Sequence, residues 1–290
     1  MNIGIHGKKF DKEQEGLIRE VFETLESARA NLFVSKSYKK HIEKYNFQYE
    51  CATYCKGDDI SHLDVLITLG GDGTLLDAVT HVGNQGVPIF GINTGRLGFL
   101  ATTTKDDIKG SLKNLFEKKY TIDERALLTL NSNQNLFEDN NFALNDFTIL
   151  KKDSSSMIIV HAYVNGELLN DYWADGILVS TPTGSTGYSL SCGGPLIHPR
   201  SHNFVITPVS PHSLTARPVV VPDESVLSFK IEGRSHAFLV SLDSRFETVD
   251  DTIELEVRKA DFKVKLLVTE GNSFISTIRQ KLNWGLDARN

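Results

Sequence analysis

Residues 64–74, DVLITLGGDGT, read as a strand, a glycine turn and the start of a helix. Val65, Leu66, Ile67 and Leu69 form an apolar run without alternation, which predicts a strand covered on both faces. Gly70, Gly71 and Gly73 stop that run and let a bulky anion come close to the backbone. Thr74 then opens a helix predicted over 74–82, whose first turn presents N–H groups and a partial positive charge. The carboxyl end of a parallel strand is where open α/β sheets bind ligands. Gly70, Gly71, Gly73 and Thr74 are therefore the expected phosphate loop. Asp72 is the residue that a simple phosphate cradle does not need. Its carboxylate predicts a chemical task, either accepting a proton from an attacking hydroxyl or holding Mg²⁺. The plain structural alternative is a cap on the helix that follows.

The segments on either side extend this pattern. Residues 2–7 and 31–35 read as strands, 12–30 and 38–45 as helices, and 87–92 as a further buried strand. Thr104 and Asp107 resemble a capping box opening a helix to about Lys118. Alternating strands and helices predict an N-terminal α/β domain with a parallel sheet, over 1–122. From about residue 123 to 270 the period changes. Short apolar runs at 126–130, 142–150, 157–164, 176–181, 219–221, 226–231, 238–242, 252–257 and 262–268 alternate with turn residues such as Asn165-Gly166 and Pro222-Asp223. Strands without intervening helices predict an all-β, sandwich-like second domain. Residues 271–290 return to helical spacing, and this C-terminal helix is expected to pack back on the first domain.

With 290 residues, 40% of them hydrophobic and 23% charged, the chain is long enough for two ordinary domains. The net charge of −6 lacks the cationic footprint of a nucleic-acid binder. The opening MNIGIHGKKF has no apolar stretch of the secretory type, and no run approaches the ~20 apolar residues of a membrane span. Three cysteines, Cys51, Cys55 and Cys192, fit ordinary thiols in a reducing cytoplasm.

Three further segments carry chemistry. The loop 93–100, NTGRLGFL, closes the next strand, where Arg96 could meet a phosphate bidentately and Phe99 could face a base. The block 175–195, DGILVSTPTGSTGYSLSCGGP, is dense in hydroxyls that suit ribose, amide and phosphate partners. Its alternative is a loop held by local side-chain-to-backbone bonds. Asn145-Asp146 adds an amide and a carboxylate at the start of a strand. Ser185 lacks the G-x-S-x-G context of a hydrolase nucleophile, and the nine histidines contain no HExxH. His212 reads as structural, and Glu138-Asp139 and Asp250-Asp251 as solvated loops.

Together these segments, with 211–218 (PHSLTARP) and Asp243-Ser244-Arg245, resemble the NAD kinase family. The resemblance runs in order over about residues 64–245. The GGDG turn alone is shared with diacylglycerol and sphingosine kinases and with phosphofructokinase-like folds, whereas DG followed by TPTGST-x-Y-SLS-x-GGP is specific. It implies a Rossmann-like or phosphofructokinase-like first domain and transfer of a phosphoryl group from ATP to the 2′-hydroxyl of NAD's adenosine ribose. Asp72 would be the general base, with Gly73 beside it, and Leu76 and Phe99 would line the adenine side. Asn145 and Asp146 would bind the adenosine. Trp173, Asp175, Thr186, Gly187, Tyr188, Ser189, Leu190, Ser191 and Arg245 would complete the NAD contacts. The family further implies a divalent cation, usually Mg²⁺, and a homodimer or homotetramer whose neighbouring subunit supplies part of this set. Gly187 stands where alanine is usual, Trp173 where many relatives carry arginine, Asp77 where some carry a basic residue, and Arg245 where glutamine is frequent. The alternatives are a lipid kinase built on the same turn and a nucleotide-binding regulator without catalysis.

Overall fold

A computed structural model describes residues 1–95, 97–101, 103, 107–152, 156–234, 237–269 and 273–284. The chain divides into two units, residues 1–124 with 264–290, and residues 125–263. The first unit opens with β1 (Asn2–Gly7), α1 (Glu15–Ser27), β2 (Asn31–Ser35), α2 (Lys36–Ile42), β3 (Ala52–Tyr54), β4 (Val65–Leu69), α3 (Asp72–Val82), β5 (Ile89–Ile92) and α4 (Ile108–Phe116). Its strands pair in parallel in the order β5-β4-β1-β2-β3, with Ile5 opposite Ile67 and Leu66 opposite Ile89. α1 buries Ile18, Val21, Phe22 and Leu25, the stripe expected of a helix lying on a sheet. They pack with Ile3, Ile5, Val65, Ile67 and Phe90 in one core.

Two details differ from the sequence expectation. α3 starts at Asp72, with Gly71 as its N-cap, and not at Thr74. β3 is a short edge strand with Ala52 and Thr53 exposed, so it carries no apolar run to find. The expected Thr104–Asp107 capping box lies partly outside the described residues. Asp107 is the N-cap of α4; its side chain makes no capping bond to the helix backbone, and Oδ2 accepts the Ser111 hydroxyl at 3.5 Å instead.

The second unit is antiparallel. It contains most of β6 (Tyr120–Ser132), then β7 (Phe142–Ala143), β8 (Asp146–Lys151), β9 (Ile158–Val164), β10 (Glu167–Ala174), β11 (Gly176–Ser180), α5 (Tyr188–Ser191), β12 (Asn203–Val209), β13 (Val219–Pro222), β14 (Leu227–Glu232), β15 (Phe238–Leu242), β16 (Arg245–Val249) and the start of β17 (Leu255–Thr269). One sheet runs β13-β12-β11-β8-β15-β16. In the other, β9 lies between β10 and β14, and β14 pairs with β17. Phe147, Ile149, Val179, Phe204 and Val240 of the first sheet meet Val160, Tyr172 and Phe229 of the second in a shared core. This is the sandwich that the change of period predicts.

Of the two strands expected at 252–257 and 262–268, residues 255–257 and 262–268 form the single β17, because 258–261 between them stay extended, while 252–254 precede it. Three strands were not expected from the sequence, although β12 carries the apolar Phe204, Val205 and Ile206. β10 is a largely exposed polar edge, β16 buries only Val249, and β12 contains Pro208. The last stretch of β17 belongs to the first unit, where Leu266 pairs in parallel with Ile89. α6 (Phe274–Lys281) follows there, N-capped by Ser273, and Lys281 Nζ lies 4.7 Å from the centre of the Phe99 ring.

Candidate active site

In the first unit the glycine turn joins β4 to α3 and is held by its own loop neighbours. Asp72 does not cap its helix. Its carboxylate reaches the loop after β5, where Oδ2 accepts the N–H of Phe99 at 2.8 Å and Oδ1 accepts those of Leu100 and Ala101 at 3.1 Å each. Gly98 makes this possible, since a Cβ there would fall 1.9 Å from Asp72 Oδ1. Each carboxylate oxygen offers about two acceptor positions, so Oδ2 keeps one for another proton or ligand. Gly71 and Gly73 are exposed, and a Cβ on either meets nothing within 4 Å. Their missing side chains leave the turn open to an approaching group. Thr74 is buried, Leu76 and Phe99 are half-buried, and Gly70 packs against the Thr74 side chain. Lys8 Nζ donates to the Gly73 carbonyl at 3.1 Å, setting a cation at the turn that the motifs did not indicate. Arg96 lies outside the described residues.

The second unit centres on another carboxylate. Asp243 occupies the two-residue turn between β15 and β16 with φ +53°. Its Oδ1 accepts the N–H groups of Asn145 at 2.8 Å and Asp146 at 3.2 Å, and its Oδ2 accepts that of Leu144 at 3.0 Å. This fixes the start of β8, where Asp146 is buried and accepts the Thr148 hydroxyl at 3.2 Å. Burial, then the charge of Asp243, push the Asp146 carboxyl up to about 7. Burial raises Asp243 too, against the three N–H donors and Arg245, which pull the other way. Asn145 Oδ1 is buried without a hydrogen-bond partner. Gly184 lies against this segment so closely that a Cβ would stand 2.0 Å from the Asn145 carbonyl oxygen.

The hydroxyl-rich block turns many of its hydroxyls inward. Thr181 donates to the Leu144 carbonyl, Ser185 to that of Pro182, and Thr186 to that of Thr183, while Ser189 meets the Thr207 hydroxyl. Ser185 and Thr186 make the local side-chain-to-backbone bonds of the plain alternative, whereas Thr181 and Ser189 tie the block to other segments of the unit. Gly187 lies beside Asn145 and Asp146, Leu190 is half-buried, and Tyr188 and Ser191 are exposed. Trp173 is 54% exposed on β10, and Asp175 pairs with Lys151 Nζ at 2.6 Å. Arg245 points its guanidinium at the carbonyls of Asn140 and Phe142, and its Cζ lies 5.8 and 5.7 Å from the ring centres of Phe137 and Phe142.

Two groups escaped sequence reading. Asp243 appears in the sequence as one acid of a turn, and nothing there shows its three bonds to the β8 start. In the first unit His6, Asp77 and His81 gather, with His6 Nε2 at 3.0 Å from Asp77 Oδ2. The i, i+4 spacing of Asp77 and His81 was the available signal. Burial, then the neighbouring His6, pull the His81 imidazole down to about 4, and the His6 hydrogen bond lowers Asp77.

For Mg²⁺, which prefers oxygen donors in an octahedron, the described residues offer no protein cage. Their one three-ligand cluster brings two imidazoles, and Asp72 already accepts three N–H bonds.

The chain matches the ATP-NAD kinase N-terminal domain over residues 3–120 and the ATP-NAD kinase C-terminal domain over residues 144–269. It is 48% identical to an NAD kinase of Cytophaga hutchinsonii and 42% identical to one of Flavobacterium johnsoniae, each over the full length of both chains. Among solved structures it is similar to yeast NADH kinase complexed with NADH, with a TM-score of 0.86 and 26% identity over 99% of this chain and 89% of that one. An Archaeoglobus fulgidus NAD kinase in complex with ATP shares the fold, with a TM-score of 0.74 and 24% identity over 98% of both chains. The lipid-kinase alternative finds no support in these matches. Glycine turn, Asp146 strand and full-length similarity agree, and the chain belongs to the NAD kinase family.

Proposed function

We propose that Asp72 removes the proton from the 2′-hydroxyl of NAD's adenosine ribose as that oxygen attacks the terminal phosphorus of ATP. The overall reaction, ATP-dependent phosphorylation of NAD to NADP, is that of the family. The observation that carries the role of Asp72 is its bonding. Three backbone N–H groups fix the carboxylate, and Oδ2 keeps an acceptor position for a hydroxyl proton. A neutral hydroxyl is a poor nucleophile, so a positioned acceptor lowers the barrier by removing the developing positive charge. The open Gly71 and Gly73, the amino end of α3 and the Lys8 ammonium suit the phosphates. Mg²⁺ on those phosphates would offset their charge during in-line transfer.

For NAD itself, Asn145 and Asp146 bind the adenosine, the unpartnered Asn145 Oδ1 accepting a base or ribose donor. Leu76 and Phe99 line the adenine. Asp175, Thr186, Tyr188 and Ser191 add contacts through side chain or backbone, with Trp173 toward the nicotinamide. Ser189 and Arg245, whose polar groups face inward or toward loop carbonyls, would contribute by shape and backbone. We further propose a cytoplasmic enzyme, consistent with the three free cysteines, and a homodimer or homotetramer.

The test is to incubate the purified chain with ATP, Mg²⁺ and NAD and couple any NADP to an NADP-specific dehydrogenase. NADP formation is expected; measurable NAD binding without NADP would turn the reading toward a regulator. Sedimentation velocity addresses the assembly, and a monomer at micromolar concentration would remove that part.

A further inference from the structure

We infer that His6, Asp77 and His81 form a binding site for a divalent transition-metal ion of the zinc class, separate from the Mg²⁺ that accompanies ATP. The three residues come from two elements of the first unit. His6 sits on β1, while Asp77 and His81 stand one turn apart on the same face of α3. One ligand atom from each lies within 4.8 Å of the other two. Zinc bonds of about 2 Å place ligand atoms about 3.3 Å apart in a tetrahedron, so the site closes by small side-chain rotations.

Several features favour a metal over a plain ion pair. His81 Nδ1 is buried with no hydrogen-bond partner, an unusual state for an imidazole nitrogen and the one a metal resolves. The two imidazole rings lie with centres 4.7 Å apart and tilted by 46°, so both can address one ion. His6 Nδ1 contacts the Ser35 hydroxyl at 3.1 Å, which fixes the ring and aims Nε2 at Asp77. Such an outer partner is the usual accompaniment of a metal-bound histidine. The ion would take the place of the proton shared between His6 and Asp77. Two nitrogens and one carboxylate oxygen suit zinc, cobalt or ferrous iron, and they suit Mg²⁺ poorly.

Entry is open. The Asp77 side chain is 41% exposed, and with His6 it borders a cavity of about 640 Å³ that Lys8, Lys9, Lys40 and Lys44 also line. Those ammonium groups disfavour a bare cation, and they favour a metal whose fourth position carries an anion or hydroxide. Three protein ligands with one open position is the arrangement that accepts such a fourth ligand. The site would also join β1 to α3, the helix that begins at Asp72.

The full-length chain, stripped with a chelator, is titrated with Co²⁺ and then Zn²⁺. One Co²⁺ per chain with the visible bands of four- or five-coordinate cobalt is expected, displaced by one equivalent of Zn²⁺. His81→Gln and Asp77→Asn should each weaken Zn²⁺ binding at least about 100-fold, with folding checked by circular dichroism. X-ray absorption at the zinc edge of the loaded native chain should show two imidazoles, a result that does not depend on any variant folding. Absence of binding, a shell of oxygens alone, or binding that survives in both variants and is lost in His161→Ala would overturn the site. That last outcome would move the metal to His161 in the second unit.

Discussion

Asp72 in the first unit and Asp243 in the second each gather three consecutive backbone N–H groups, two on Oδ1 and one on Oδ2. The surroundings make the same device serve different ends. Asp72 starts a helix, lies beside exposed glycines and has a lysine at the next residue's carbonyl. Asp243 occupies a left-handed turn position and faces a second buried carboxylate, Asp146. The first arrangement holds an oxygen at an open edge, where chemistry can reach it. The second uses its oxygens to set the backbone that carries Asn145 and Asp146. A carboxylate with three N–H bonds is therefore not a site by itself, and its exposure and neighbours decide its use.

The comparison breaks most sharply at Asp72. Asp72→Asn keeps the shape and removes the proton acceptor, so kcat should fall about 10³-fold while the Kd for NAD stays within about tenfold. Rates from the coupled NADP assay and affinities from calorimetry check this. Full activity in the variant would make Asp72 a second Asp243, structural only.

The converse substitution, Asp243→Ala, strips three N–H groups of their acceptor and should cost about 3 kcal/mol of stability. Urea unfolding monitored by fluorescence reads the loss. Because the base is untouched, kcat per folded molecule should change far less than the NAD KM. A fall in kcat as large as that of Asp72→Asn, with stability unchanged, would reverse the two roles.

The two regions were unequally legible in sequence. The apolar run at 65–69 and the glycines that end it disclose β4, the turn and α3, because a strand buried on both faces leaves a continuous signature. The second unit shows its class through repeated short runs, yet β10 and β16 are polar edges with little to bury. The hydroxyls of 181–189 suggested ligand contacts, but composition cannot tell a hydroxyl aimed at ribose from one bonded to its own loop. Ser185 and Thr186 are of the second kind, while Thr181 and Ser189 bond to Leu144 and Thr207 elsewhere in the second unit. Asp243 was hidden for a related reason: it meets Leu144 from 99 positions away, and no local pattern records such a bond.

The Asp146–Asp243 pair offers a pH test of the second carboxylate site. Asp146 keeps its proton in the folded chain up to about 7, whereas the unfolded chain releases it near 3.8, the ordinary value of an aspartate. Between those limits the native state binds more protons, so stability falls as pH rises, by at most about 1.4 kcal/mol per pH unit for one proton. Above about 7 both states are ionised and the dependence ends. Asp243 shifts in the same direction, so the titration belongs to the pair. Asp146→Asn should flatten the unfolding free energy between pH 5 and 7 relative to the native chain. Parallel curves would show that the pair carries no shared proton.

The smallest effect is expected at Arg245, next to the Asp243 turn. Its guanidinium donates to the Asn140 and Phe142 carbonyls and lies over the Phe137 and Phe142 rings, so its present work is to hold the 137–142 segment. Glutamine is shorter and uncharged and can satisfy one of those carbonyls at most. Arg245→Gln should lower stability by about 1 kcal/mol, seen as a drop of a few degrees in Tm, with kcat unaltered and the NAD KM within about threefold. A KM rise beyond tenfold at unchanged Tm would mean that the side chain leaves the loop to hold NAD. That result would turn Asp243-Ser244-Arg245 from a brace behind β8 into part of the binding surface, and narrow the difference between the two carboxylate sites.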